Sequence, residues 1–455
     1  MKTSGITSRP ALVAALVVTL MLAGPRPALA GPGDIDTTFG TGGRVTTDFA
    51  GNFDFADGVL AQSNGKIVAV GYAHTETPFE ASDFAVARYL ANGDPDTSFS
   101  GDGRKRTDFD GFGDQATAVA RQADGKLVVV GSSDVAASDS RMAVVRYTTG
   151  GSLDTTFSGD GKVRTGFTGL GSSSASDVAI QPDGKIVVVG NGLTGAPHHR
   201  LRPAGGPGVG SDIAVARFKA NGALDASFSG DGRVTTNVAG FDSATAVVVL
   251  PSGKIVVAGR SQTDGGEQRI VAVRYLPGGA PDPAFSGDGT VVVNLVPGEP
   301  EGAAGVGIRS DGRIVIGAWA NNGVDGASGN DLAAAVLSSG GALYLPFGGG
   351  DGKAFADFGA DESPDEMLRQ DDGKLVYVAT RPFVSGGDPQ AIWVFRLTSG
   401  GAADGGFGVA GRAEVEFAGG AGGFAIDVDT EGRAVAAGRV GLGSAADFAL
   451  TRLQS

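Results

Sequence analysis

A short turn signal of the form Asp-Gly-Lys returns seven times in this 455-residue chain, and its spacing limits the possible folds more than any other feature. It reads Asn64-Gly65-Lys66, Asp124-Gly125-Lys126, Asp183-Gly184-Lys185, Ser252-Gly253-Lys254, Asp311-Gly312-Arg313, Asp372-Gly373-Lys374 and Glu431-Gly432-Arg433. The central glycines are separated by 60, 59, 69, 59, 61 and 59 residues. A fixed period of this kind marks a stack or ring of one supersecondary unit. Asp-Gly and Asn-Gly suit two-residue hairpin loops, whose central positions need positive φ.

Each turn sits between strand-like runs. ATAVARQ (116–122) precedes one turn and KLVVVG (126–131) follows it. The second run is almost continuously apolar and β-branched, as expected of a strand buried on both faces. A third run follows: FAVARY (84–89), MAVVRY (142–147), IAVARF (213–218), VAVRY (271–275), WVFRL (393–397) and FALTRL (448–453). A fourth, such as GRVTTDF (43–49) or GRVTTNV (232–238), closes the unit. Glycine, at 78 residues, disfavours long helices. Four short strands in seven units predict an all-β, seven-bladed β-propeller with four-stranded blades. The chain ends just past its seventh third strand and opens with a lone fourth strand. The expectation is a ring closed by the N-terminal strand, Arg44–Phe49, joining the C-terminal blade, and hence one domain over 31–455.

The linker between third and fourth strands repeats Phe39, Phe99, Phe157, Phe228, Phe285, Phe347 and Phe407. Three residues earlier stand Asp36, Asp96, Asp154, Asp225, Asp282, Tyr344 and Asp404. The third strand carries Arg88, Arg146, Arg217, Arg274, Val336, Arg396 and Arg452. Unit five departs at both the Asp and the Arg position, which suggests that the two residues pair within each unit. These phrases resemble the bacterial delta-60 repeat family, whose units read DGK-[IL]-V-V-x-G, FA-[LV]-x-RY and G-x-LD-x-x-FG. The resemblance covers residues 31–455. It implies a propeller and export, and brings no catalytic residues with it.

Residues 1–30 read as a cleaved signal peptide: Lys2 and Arg9, an apolar run at 11–24, and Ala28-Leu29-Ala30. The mature protein is then expected to be secreted, with the periplasm as the alternative, and to lack a membrane span. Losing Lys2, Arg9 and Arg26 takes the formal charge from −14 to −17. Such an acidic balance argues against nucleic-acid binding. The absence of cysteine excludes disulfides and thiolate chemistry.

Site-like residues are few. FSGDG places Asp102, Asp160, Asp231 and Asp288 at equivalent corners, where a turn role outweighs a calcium role. Asp427–Gly432 begins like a calcium loop but coincides with the seventh hairpin. His198, His199, Arg200 and Arg202 lie in an insertion at 191–210, the third histidine being His74. Trp319 and Trp393 fall within predicted strands, where core packing is expected. No catalytic, cofactor or metal residue is assigned. The expected function is a non-enzymatic, monomeric binding or scaffold protein for an unknown macromolecule or surface ligand, without cofactor. Two alternatives stand beside it: a lyase or hydrolase using the 191–210 loop and acids at one mouth of the channel, and a calcium-dependent surface protein.

Overall fold

In the computed structural model, residues 30–455 are described except for 50–52, 75–81, 137–138, 195–209, 322, 324–328, 383–389 and 442–445. Twenty-eight β-strands and no helix occur among the described residues. The first complete unit shows the pattern: β2 (Asp54–Ala61), β3 (Ile67–His74), β4 (Ser82–Tyr89) and β5 (Arg104–Thr107) form one antiparallel sheet in that order. Five of the β3 residues, Ile67–Gly71, are buried in succession, because neighbouring units cover both faces of the sheet. The short fourth strand is reached through the Phe-containing corner.

Further four-stranded sheets span 114–165, 301–356 and 364–416. Residues 170–293 form one eight-stranded sheet instead of two of four, since a single parallel bridge, Ser211 to Phe241, links the halves. The last sheet joins β26 (Ala421–Val428), β27 (Ala434–Val440) and β28 (Asp447–Leu453) to β1 (Arg44–Thr47). β1 lies antiparallel to β28, with Arg44 opposite Thr451 and Thr47 opposite Phe448. β1 is shorter than the run read from sequence.

The seven corner phenylalanines are buried, at 0–4% exposure. Six carry the guanidinium of their unit over the ring, as Arg88 does 4.6 Å from the centre of Phe99 and Arg452 4.8 Å from that of Phe39. The same arginines pair with the corner aspartates: Arg88–Asp96 at 2.6 Å, Arg146–Asp154 at 2.7 Å, Arg217–Asp225 at 2.9 Å, Arg274–Asp282 at 2.6 Å, Arg396–Asp404 at 2.7 Å and Arg452–Asp36 at 2.7 Å. In unit five, Arg313 lies 3.7 Å over the Tyr344 ring, so another cation occupies the altered corner. Six of the corners also hold the next unit, as where Ser100 N–H donates to Gly150 O, Ser158 N–H to Asn221 O and Gly40 N–H to Asn92 O, at 2.7–2.8 Å.

Candidate functional site

The first strands of the units share one irregularity. The pairing register of β2 with β3 shifts between Ala56 and Gly58, leaving Asp57 as an extra residue. Bulges at the same place occur in β6 (Asp114–Arg121), β10 (Leu170–Ile180), β14 (Phe241–Val249), β18 (Glu301–Ile308), β22 (Pro364–Arg369) and β26. The glycine that ends the VVVG run makes room for it. A Cβ on Gly71 would stand 1.8 Å from Phe55 O, and one on Gly131 1.9 Å from Gln115 O. A bulge re-aims the side chain of the inserted residue. The seven re-aimed residues are Asp57, Thr117, Ser176, Thr245, Ala304, Asp365 and Phe424, and all line one cavity of about 780 Å³.

The wall of this lumen is acidic. Asp57 and Asp365 reach it without a hydrogen bond from the described residues; Asp365 is exposed to it and Asp57 half-buried. Enclosure by the surrounding strands pushes both carboxyls up to about 7, with the Asp365 charge adding to the rise at Asp57. One residue along, Glu366 is pushed up to about 8 by burial, against the Ile426 N–H it accepts at 2.8 Å, and further by Asp177, Asp427 and Asp365. Asp177 and Asp427 are raised to about 6, again chiefly by burial. These two tie adjacent first strands together: Val247 N–H donates to Asp177 at 2.8 Å, and Ala61 N–H to Asp427 at 2.7 Å. Both are thus ties between strands, Asp177 at the cavity wall and Asp427 beyond it, while Asp57 and Asp365 face the opening.

Aromatic side chains accompany the acids. Phe241, Trp319 and Phe424 line the cavity. Phe55 stacks on Tyr72 at 5.1 Å and 13° and lies 6.3 Å from Phe424, with Arg439 5.2 Å over its other neighbourhood. His74 packs edge-on to Tyr72 at 5.7 Å. Among the described lining residues Arg260 is the one cation, against Asp57, Asp177, Asp365 and Glu366.

Sequence reading did not name these acids. Their signal was nonetheless present. Each bulged residue lies eight positions before the central glycine of its turn, so aligning the seven turns gives a column of Asp, Thr, Ser, Thr, Ala, Asp and Phe in an otherwise apolar strand. The residues that sequence singled out lie elsewhere. Asp102, Asp160, Asp231 and Asp288 each accept the N–H two residues on, at 2.8–2.9 Å, on exposed turns. His198, His199, Arg200 and Arg202 fall outside the described residues, as does the signal-peptide run. Trp393 is buried at 4% exposure, but Trp319 is half-buried and turned to the lumen, which corrects the core role expected for it.

Four stretches, 62–99, 122–157, 205–228 and 250–285, match the family model described as "Domain of unknown function (DUF5122) beta-propeller". This is an all-β repeat protein of the β-propeller kind. No curated protein sequence matches the chain. Among solved structures, it is similar to a protein of unknown function from Dyadobacter fermentans (15% identity, 90% of this chain and 97% of that one, TM-score 0.46). It is also similar to the polysaccharide lyase Uly1 (12%, 88% and 90%, TM-score 0.49) and to a gluconolactonase from Xanthomonas campestris (12%, 86% and 91%, TM-score 0.33). Enzymes thus stand among the similar propeller structures, and the expectation of a non-enzymatic binding or scaffold protein is withdrawn. The lumen these first strands line carries Asp57 and Asp365, whose carboxyls burial pushes up to about 7. No helix among the described residues is long and apolar enough to cross a membrane.

Proposed function

We propose that this protein is a hydrolase acting on a neutral carbohydrate at the acidic mouth of the propeller lumen. The observation that carries the reading is the placement of Asp57 and Asp365, by equivalent bulges, in one cavity with no hydrogen bond from the described residues. Glycosidic hydrolysis needs one carboxylic acid to protonate the leaving oxygen and one carboxylate to activate water or attack the sugar carbon. Two carboxyls raised to about 7 are each partly protonated at neutral pH, so that one can serve as the acid and the other as the base. Phe241, Trp319 and Phe424 offer ring faces on which a sugar can stack. Four acids against Arg260 favour an uncharged substrate, since a polyanion would be repelled. This separates the hydrolase reading from a lyase of acidic polysaccharides.

The wider frame is part of the same reading. The repeat is taken as the delta-60 unit, the 28 strands as seven blades, and the β1–β28 pairing as the seam of a closed ring. Residues 31–455 form the mature, monomeric domain, exported behind the 1–30 signal peptide, to the medium rather than the periplasm, where a polymeric sugar would be its partner.

The test is an assay of reducing-end release from a panel of neutral polysaccharides, run beside an assay for unsaturated lyase products. Hydrolysis abolished in Asp365→Asn supports the proposal. Unsaturated products, or hydrolysis indifferent to both Asp57→Asn and Asp365→Asn, would overturn it.

A further inference from the structure

A second set of carboxylates lies outside the lumen, where the two ends of the chain meet. Asp48 follows β1, Asp54 opens β2 and Asp447 opens β28, and one carboxylate oxygen of each lies within 4.8 Å of the others. The same arrangement recurs as Asp83, Asp108 and Asp114, and as Asp331, Asp357 and Glu362. At three of the other junctions the equivalent triple has lost most of its acids: Arg141, Gly166 and Ser173; Arg269, Asn294 and Glu301; Ala391, Glu416 and Ala421. The remaining junction, Asp212, Asn237 and Asp242, keeps two of the three acids, with the Asn237 amide donating to Asp212 at 2.8 Å.

A partner of the acids is visible in one copy. In the Asp83 triad, Arg106 on β5 reaches Asp83 at 2.8 Å. The equivalent residue on β1 is Thr46, so β1 brings no guanidinium to the triad at the chain ends, and Arg106 acts on Asp54 only through its charge, from the neighbouring unit. Asp54 is fully buried. Its Oδ2 accepts the Phe49 N–H at 2.6 Å, while Oδ1 is buried without a hydrogen-bond partner among the described residues, as is Asp114 Oδ1 in the neighbouring copy. A buried carboxylate oxygen left unsatisfied is costly unless a ligand satisfies it.

We propose that Asp48, Asp54 and Asp447 bind a divalent, calcium-like cation that clamps the N-terminal segment to the last unit. Three carboxylates from separate segments form the hard-oxygen donor set such an ion takes, with water completing its six to eight ligands. The cation stands where Arg106 stands in the neighbouring copy. The site is independent of the acidic lumen and of any activity there.

Calorimetric titration of the metal-stripped protein with Ca²⁺, alongside thermal unfolding in Ca²⁺ and in chelator, tests this. Wild type should bind Ca²⁺ and unfold at a higher temperature in its presence. Asp447→Asn, which disturbs no backbone contact described here, should lose one Ca²⁺ equivalent or weaken it at least tenfold. Asp54→Asn, which keeps an acceptor for Phe49 N–H, should do the same. An absence of Ca²⁺ binding to folded wild type, or binding and stabilisation unchanged in both variants, overturns the proposal.

Discussion

Arg452 and Asp36, 416 positions apart, meet at 2.7 Å with both side chains at most 3% exposed. Arg452 also donates to Ala91 O at 2.7 Å and lies over Phe39. One guanidinium thus holds the leading segment, the last strand and the first complete unit. Burial works against ionisation of Asp36, but hydrogen bonds from Thr38 and the charge of Arg452 outweigh it and hold the carboxyl below its ordinary value of 3.8.

Removing one partner of this pair should therefore cost more than removing both. Arg452→Met leaves a buried carboxylate and is expected to lose about 3–5 kcal/mol, whereas Arg452→Met with Asp36→Leu should recover much of it. Urea midpoints of the singles and the double measure this; simple additivity would refute the coupling. The sign of the pH effect follows from the depressed Asp36 value. Its contribution is full above pH 3.8 and is lost as the pH falls through the lower folded value.

The corner phenylalanines give a second test. Phe157 is fully buried beneath the Arg146 guanidinium, 4.8 Å away. Phe157→Ala should cost about 3–5 kcal/mol by the cavity it leaves. A chemical-denaturation loss under about 1 kcal/mol would contradict the core role that its burial assigns.

The contrast between fold and site in legibility has a physical origin. Strands, turns and the Arg–Asp corners could be read because each copy repeats the same local requirement: positive φ at Gly125, a buried aliphatic run at Leu127–Val130, a charge partner eight residues from Arg88. The site could not be read that way. Asp57 and Asp365 sit where the repeat varies, and their meaning depends on a bulge and on units 308 positions apart facing one lumen. Joining of the third and fourth units through Ser211 and Phe241 was equally invisible, because it is one tertiary bridge next to the 191–210 insertion. Trp319 misled for a related reason. A strand residue has two faces, and only the packing of the first strands around the cavity decides which one meets it.

The pairing of β1 with β28 makes a third prediction. Deleting residues 31–50 removes the partner of Phe448–Thr451 and leaves an apolar strand with unpaired N–H and C=O groups, a template for intermolecular pairing. Light scattering of the truncated chain should rise steeply with concentration, while a chain of residues 31–455 stays dispersed. A truncated protein that remains monomeric with an unchanged unfolding midpoint would show that β1 does not protect this edge.

The lumen carboxyls make the last prediction, and its sign is opposite to that of Asp36. A carboxyl raised from 3.8 to about 7, as Asp57 and Asp365 are, binds its proton more tightly in the folded state. Stability therefore falls as the pH rises from about 3.8 to about 7 and changes little from this source beyond that. Asp57→Asn should match wild type near pH 3, where both side chains are neutral, and unfold at a higher temperature at pH 8. The same substitution removes an acid–base group, so hydrolysis should drop by about 10²–10⁴. Wild-type turnover should describe a narrow bell, limited below by the carboxyl that must lose its proton near 7 and above by the group that must keep one, with Glu366 at about 8 the most basic acid of the wall. Unfolding temperatures of wild type and Asp57→Asn across pH 3–8, read beside the pH–rate profile, test both halves. A variant that gains stability and loses activity places Asp57 among residues kept for chemistry at the expense of the fold; one that loses stability at pH 8 makes it a structural tie like Asp177.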